Sequence, residues 1–461
     1  MFEKKGTILG EREKLRSRLG FILLSAGCAI GVGNVWKFPW MAGQYGGAAF
    51  VILYLVFLII LGLPAMTVEF SVGRAARKSP VLMYQKLTPK KKIWRVHGTL
   101  CLVGNIVLMM FYTIVAGWMV YYFVSHINGL FVGRTPEQVA DVFSRMLASP
   151  EILVTYMMII SIVGFIILSF GLQKGLENVT KWMMIFLICI MIVLSFRSFT
   201  MSGAGEGLKF YLIPDFSKLT IDAVVGAMNQ AFFTLSLGIG SMAIFGSYVS
   251  DERSLMGESA RVIVLDTFVA ITAGFIIFPA CFTYNIEPGA GPSLIFITLP
   301  NIFQNMNGGR VWGSLFFLFM TFAAFSTVLA VFENILACVM DVTGYDRKKA
   351  AFICCIGIIL LALPCALGFN IWSNIEPLGK GTGIMDLEDF IVSNILLPLG
   401  SLVFVLYATY DFGLGWKEFK KEANKGKGLK VQDWMRPYMA YVLPIIILVI
   451  FVLGIKPFIF K

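Results

Sequence analysis

The sequence predicts an all-α polytopic membrane protein of about eleven transmembrane helices. Three observations lead there. Of 461 residues, 58% are hydrophobic and 14% are charged, whereas a soluble domain carries about 25% charged residues. Mean hydropathy is +0.81. Apolar runs of about 20 residues, the length that crosses a bilayer, recur along the whole chain, and Lys and Arg gather in alternate connections between them.

The runs fall at 19–41, 47–72, 97–125, 152–170, 180–199, 222–248, 261–284, 311–340, 350–369, 386–411 and 438–458. The first follows a polar, basic segment, and no cleavage site follows it, so it is a retained span rather than a signal peptide. Lys4, Lys5, Arg12, Lys14, Arg16 and Arg18 precede span 1, and a second basic stretch from Arg74 to Arg95 follows span 2. Arg347, Lys348 and Lys349 follow span 8, and Lys417, Lys420, Lys421, Lys425, Lys427 and Lys430 follow span 10. All of these lie on one side, read as cytoplasmic. The expected protein therefore sits in the plasma membrane, a bacterial inner membrane, with its N-terminus inside and, after an odd number of spans, its C-terminus outside. The net charge of +11 reflects topology and not nucleic-acid binding. Residues 287–309, after span 7, are partly apolar and broken by Pro and Gly, so they should pack into the outer mouth.

The eight cysteines lie in or beside apolar runs without metal-ligand spacing, and read as small apolar residues. His97 and His126, the only histidines, sit near span ends. No nucleophile–base pair or metal cluster is visible, so an enzyme is not expected.

Residues 29–34, "AIGVGN", and 236–241, "SLGIGS", share one pattern: small, aliphatic, Gly, aliphatic, Gly, polar. The first lies in span 1 and the second in span 6. Taken singly, Gly27-x-x-x-Gly31 would serve as a helix-packing motif. Its recurrence at matching places points instead to two inverted five-helix repeats, spans 1–5 and 6–10, with spans 1 and 6 broken at the midplane. Unwound backbone is tolerated at that depth only where it is buried or lines a cavity. Its carbonyls can hold cations, and the half-helix N-termini can hold a carboxylate. The expected organisation is a cytoplasmic segment 1–18, a first repeat 19–199, an outer loop 200–221, a second repeat 222–411, and a cytoplasmic loop with the eleventh span at 412–461.

The segments "SAGCAIGVGNVWKFP", "GGAAF", "NQAFFTLSLGIG" and "FAAFSTVLAVFE" resemble the signature segments of the neurotransmitter:sodium symporter family, in particular its bacterial amino-acid transporters of the leucine-transporter kind. The family fold has twelve spans. This chain resembles the bacterial members that stop after eleven. The resemblance implies a sodium-coupled symporter of amino acids working by alternating access, with two Na+ sites, no organic cofactor and no nucleic-acid partner. A first sodium would lie among the Ala29 carbonyl, Asn34, Thr234 and Asp266, where the family usually has Asn in place of Asp266. A second would lie among Gly27, Ile30, Ala323, Ser326 and Thr327. Oxygen ligands suit such a hard cation.

By the same resemblance, the substrate carboxylate would meet the amides of Val32 and Gly33 and the hydroxyl of Tyr112. Its amine would meet carbonyls of Ala29, Phe233 and Thr234, and Ser236. Ile30, Leu108, Phe233, Ile239, Val328 and Val331 would line an apolar side-chain pocket, which favours a neutral hydrophobic or aromatic substrate. Monoamine members carry Asp at the place of Gly31, so Gly31 favours an α-amino acid. Lys37 and Asp389 match the outer gate, with Lys where Arg is usual. Arg12 and Asp341 match the inner gate, with Tyr248 and Glu333 nearby. Glu69 reads as structural. In animal members a chloride is held by groups matching Tyr54, Gln230 and Thr234. Here Asp266 would supply that charge, making transport chloride-independent, with proton counter-transport when the empty carrier returns. The alternative is a non-transporting amino-acid receptor or a channel on the same scaffold, although no ring of like residues suggests a pore.

Overall fold

The computed structural model describes residues 13, 15–285 and 294–459. Among the described residues the chain is helical, with one isolated bridge between Arg253 and Lys427. Nine single helices among the described residues are long and apolar enough to cross a membrane: Ala48–Ala76, Trp94–Ile127, Pro150–Ser169, Leu172–Phe199, Leu255–Thr283, Gly309–Thr343, Arg347–Gly368, Ile384–Thr409 and Met435–Lys456. They take the places of spans 2–5 and 7–11. Span 1 is a bent pair, an inner half Arg18–Ala29 and an outer half Gly33–Gln44, at 56° to each other. Span 6 is likewise two pieces, Ile221–Thr234 and Ser241–Tyr248, each too short to cross alone.

Several spans carry a wide π-turn, and the sequence gives the reason for most of them. Turns at Gly33–Lys37, Leu58–Gly62, Leu294–Thr298, Ile391–Leu396 and Tyr438–Val442 each stand just before a proline, at Pro39, Pro64, Pro300, Pro398 and Pro444. Proline has no N–H to donate, and its ring crowds the carbonyl four residues back, so the helix widens by one residue instead of breaking. The exception is Leu172–Glu177, which opens span 5 after Gly171 at φ +103°. Span 5 thus begins at Leu172 and not at the expected 180, because the polar inner end stays helical.

The inner faces of spans 1, 3, 6 and 8 form the centre of one large apolar core. A second cluster, at the end of the bundle the sequence predicts to be the inner one, gathers Tyr84, Trp94, Tyr407, Trp416 and Phe419. The basic connections meet at that same end. Arg74 pairs with Glu422 at 2.7 Å, Arg77 with Asp251 at 2.6 Å and Arg18 with Glu258 at 2.9 Å. Of the segment after span 7, residues 287–293 lie outside the described residues. Leu294–Gln304 is a short helix whose Phe296 ring packs among Trp36, Trp118, Tyr122 and Phe143.

Candidate substrate and ion site

Ser17 caps the inner half of span 1, its hydroxyl accepting from the Gly20 amide at 2.9 Å. The helix ends at Ala29, and Ile30 turns to extended backbone, φ −73° and ψ 106°. The next residues are held from outside the helix ladder. The Gly31 amide donates to Asn34 Oδ1 at 3.0 Å, and the Val32 amide donates to the Tyr112 hydroxyl at 3.0 Å. A Cβ on Gly31 would lie 2.4 Å from the Tyr112 hydroxyl and 2.6 Å from Thr327 Oγ1, so only glycine lets both hydroxyls approach the backbone here. In span 6 the break runs through Ser236, Gly238 and Gly240, all at positive φ. Glu69 of span 2 accepts from the Gly238 amide. Its carboxylate therefore supports the unwound stretch, a contact the sequence did not reveal.

Two groups of oxygens gather beside these breaks. In the first, Asp266 accepts from Asn34 Nδ2 at 2.7 Å, from Thr234 Oγ1 at 3.0 and 3.2 Å, and from the Tyr54 hydroxyl at 3.2 Å. Asn34, Thr234 and Asp266, expected together, are thus joined, with Tyr54 added and all four buried. Gln230 donates to the Gly33 carbonyl at 2.9 Å, while its Oε1 is buried with no partner. In the second group, Ser326 Oγ lies 3.4 Å from the Ile30 carbonyl and 3.0 Å from that of Ala323. Thr327 Oγ1 lies 3.3 Å from the Gly27 carbonyl and 3.2 Å from that of Ile30. All five expected residues meet there. These are hard oxygen donors, the set that alkali and alkaline-earth cations take.

Between the two groups lies a small cavity. Ala29, Gly33, Leu108, Tyr112, Phe233, Thr234, Ser236 and Ile239 line it as expected. Four other expected residues do not. Val32, expected for its amide, gives it to the Tyr112 hydroxyl and lines a second, outer cavity. Ile30 buries its side chain and turns only its carbonyl to the site, and Val328 and Val331 are packed inside the core of span 8. At Ile30 the backbone leaves the helix, so the helical succession of faces no longer tells where its side chain turns. The cavity also takes Val392 and Leu397 from span 10 and Cys28 from span 1. Val392 lies in the wide turn before Pro398 and Leu397 directly follows it, which was the available signal. The Cys28 carbonyl accepts from Ser236 at 3.3 Å.

The outer cavity shares Gly33, Tyr112 and Phe233 with the inner one, so Phe233 stands between them. Lys37 and Asp389 both line it but make no ion pair among the described residues. Lys37 Nζ lies 4.5 Å from the centroid of the Phe233 ring, and Asp389 accepts from Ser393 Oγ at 2.6 Å. The two stand on one cavity but apart. A compact ammonium without the guanidinium fork stacks on the ring instead. Arg12 lies outside the described residues. Asp341 accepts from the Ser79 amide at 2.8 Å and lies 3.8 Å from Lys78 Nζ. Tyr248 donates to Glu333 at 2.8 Å, and Glu333 takes both arms of Arg347 at 2.8 Å, tying spans 6, 8 and 9 together at the inner end. The sequence had given Arg347 only a topological role.

Comparison with known proteins agrees with this architecture. The family model described as the sodium:neurotransmitter symporter family matches residues 12–132 and 139–460. An uncharacterized sodium-dependent transporter of Haemophilus influenzae is 34% identical over 96% of this chain and 98% of its own length. A second uncharacterized sodium-dependent transporter, YhdH of Bacillus subtilis, is 31% identical over 96% of this chain and 98% of its own. The crystal structure of MhsT in complex with L-phenylalanine superposes with a TM-score of 0.87 at 35% identity, covering 96% of this chain and all of that one. With these matches running through both broken spans, the chain belongs to the sodium:neurotransmitter symporter family, as a sodium-dependent, multi-pass membrane transporter.

Proposed function

We propose that the protein is a chloride-independent symporter that couples two sodium ions to the entry of a neutral hydrophobic or aromatic L-amino acid by alternating access. The observation that carries this reading is the Asp266 carboxylate, held by Asn34, Thr234 and Tyr54 at 2.7 to 3.2 Å, beside a cavity with no acid in its lining. An amine without its own carboxylate would find no counter-charge in that cavity. An amino acid brings its own, and that carboxylate joins Asn34 and Thr234 around the first sodium. The side chain then lies among Leu108, Phe233, Ile239, Val392 and Leu397. The L-phenylalanine bound to MhsT supports an occupant of this kind.

The second sodium would bridge the carbonyls of span 1 to the hydroxyls of span 8. Ion binding then holds the inner half of span 1 against the scaffold, and release lets it swing away. Asp266 supplies the negative charge that offsets the ions, so no chloride is needed, and it returns through the empty carrier as the protonated acid in exchange. The repeats 19–199 and 222–411 are the two rocking halves, connected by 200–221, with 1–18 and the loop opening 412–461 cytoplasmic and the C-terminus outside.

Purified protein in proteoliposomes tests the reading. Labelled phenylalanine, leucine and tryptophan should enter under an inward sodium gradient and fail to enter with choline in place of sodium. A competition screen of all twenty amino acids then ranks the substrates. Sodium-independent flux, or binding with no accumulation, would favour a channel or receptor.

A further inference from the structure

Helix threonines ordinarily return their hydroxyl to the carbonyl four residues back. Thr67, Thr113, Thr272, Thr283 and Thr409 all do so, at 2.7 to 2.8 Å. Thr180 of span 5 does not. It is fully buried, and its Oγ1 has no partner. A buried hydroxyl left unmatched is unfavourable and calls for an explanation.

Its surroundings supply one. A Cβ on Gly27 would lie 3.0 Å from Thr180 Cγ2 and 3.3 Å from Ser326 Cβ. One point on span 1 thus lies against both Thr180 and Ser326. The next neighbour of that point is Met184 Sδ at 3.5 Å, so among these contacts Thr180 offers the one hard donor of span 5. The register of the two helices is fixed near the inner end. Glu177 accepts from the amides of Arg16 at 2.8 Å and Ser17 at 3.1 Å, and a Cβ on Gly20 would collide with its carboxylate at 2.0 Å. Glu177 and Thr180, three apart, share a face of span 5 and meet Gly20 and Gly27, seven apart, on one face of span 1.

Threonine has a methyl and a hydroxyl of similar size on Cβ, and one χ1 step carries the hydroxyl to the place the methyl held. Here the methyl faces Gly27. After that step Oγ1 takes the methyl's place against Gly27, on the same patch of span 1 that Ser326 touches.

We propose that the Thr180 hydroxyl is a further oxygen ligand of the sodium held by Gly27, Ile30, Ala323, Ser326 and Thr327, turning to the ion from span 5. This rests on the second-sodium assignment above. The ion would then tie span 5, as well as spans 1 and 8, to one point, and rotation of Thr180 would accompany its release.

The test is a sodium titration of the protein in nanodiscs, with choline keeping ionic strength constant and tryptophan fluorescence as the readout. Thr180→Val keeps the shape and removes the hydroxyl, and should raise half-saturating sodium about 2- to 12-fold. Thr180→Ser keeps the hydroxyl and should stay within about twofold of wild type. Thr180→Ala serves if the valine variant does not fold. An unchanged midpoint in Thr180→Val or Thr180→Ala, or equal shifts in the valine and serine variants, overturns the inference. Thr327→Ala is titrated alongside. If it shifts while Thr180→Val does not, only the Thr180 assignment fails. If Thr327→Ala is itself unchanged, the second sodium site fails.

Discussion

Asp266→Asn keeps the shape of the side chain and removes its charge at the centre of the first oxygen group. The carboxylate accepts from Asn34 at 2.7 Å, Thr234 at 3.0 Å and Tyr54 at 3.2 Å. Hydrogen bonds to a charged group contribute about 1.5–3 kcal/mol, against about 0.5–1.5 kcal/mol for neutral pairs, so each surviving contact weakens by about 1 kcal/mol. The new amide must also point its N–H groups at one of these partners, and Asn34 Nδ2 offers only donors. A sodium beside the site loses its counter-charge as well, worth about 4 kcal/mol at 4 Å and an effective dielectric of 20. Taken with partial compensation by the substrate carboxylate, the change should weaken sodium binding by roughly 2–4 kcal/mol, or about 30- to 1,000-fold in half-saturating sodium. The assay is sodium-driven uptake into proteoliposomes with gluconate replacing chloride, at several internal pH values. Wild-type uptake should survive chloride removal and respond to internal pH, and Asp266→Asn should be nearly inactive. A strict chloride requirement in the wild type, or a fully active Asp266→Asn without chloride, would refute the reasoning.

Thr327→Ala removes the hydroxyl that reaches the Gly27 and Ile30 carbonyls, and should raise the half-saturating sodium for uptake about 5- to 150-fold, for a loss of about 1–3 kcal/mol. Gly31→Asp should abolish amino-acid transport, because its Cβ would meet the Tyr112 and Thr327 hydroxyls at 2.4 and 2.6 Å and its charge would face the substrate carboxylate; wild-type uptake in this mutant would show the carboxylate subsite to be elsewhere. Lys37→Gln removes the ammonium over the Phe233 ring, and a cation–π contact of about 0.5–1 kcal/mol implies a 2- to 5-fold change in transport rate or substrate affinity, measured by initial-rate kinetics. Arg347→Met leaves the buried Glu333 carboxylate without its partner. Breaking such a pair costs about 3–5 kcal/mol, so Tm in a detergent melt should fall, and an unchanged Tm would mean the pair does not tie these spans together.

The sequence by itself determined the class and most of the centre. Spans show in the sequence because a bilayer imposes length and hydropathy locally, and paired glycine breaks show because only glycine-rich segments unwind cheaply at that depth. Resemblance to the family's motifs, and not the pattern of breaks, groups Asn34 with Thr234 and Asp266, and Gly27 with Ile30 and Thr327, and each set meets through direct contacts. Tertiary structure alone decided which side chains see the cavity. Ile30 and Val32 belong to the motif but turn away, whereas Val392 and Leu397 belong to no motif and turn in. It also decided the partners of the long polar side chains. Lys37 chose a ring over Asp389, Arg347 reached back to Glu333, and Glu69 found a bare amide in span 6. The physical reason is one of range. Helix formation and membrane insertion depend on neighbours a few residues away, but the direction of a side chain beside broken helix depends on packing between spans distant in sequence, and no local pattern records it.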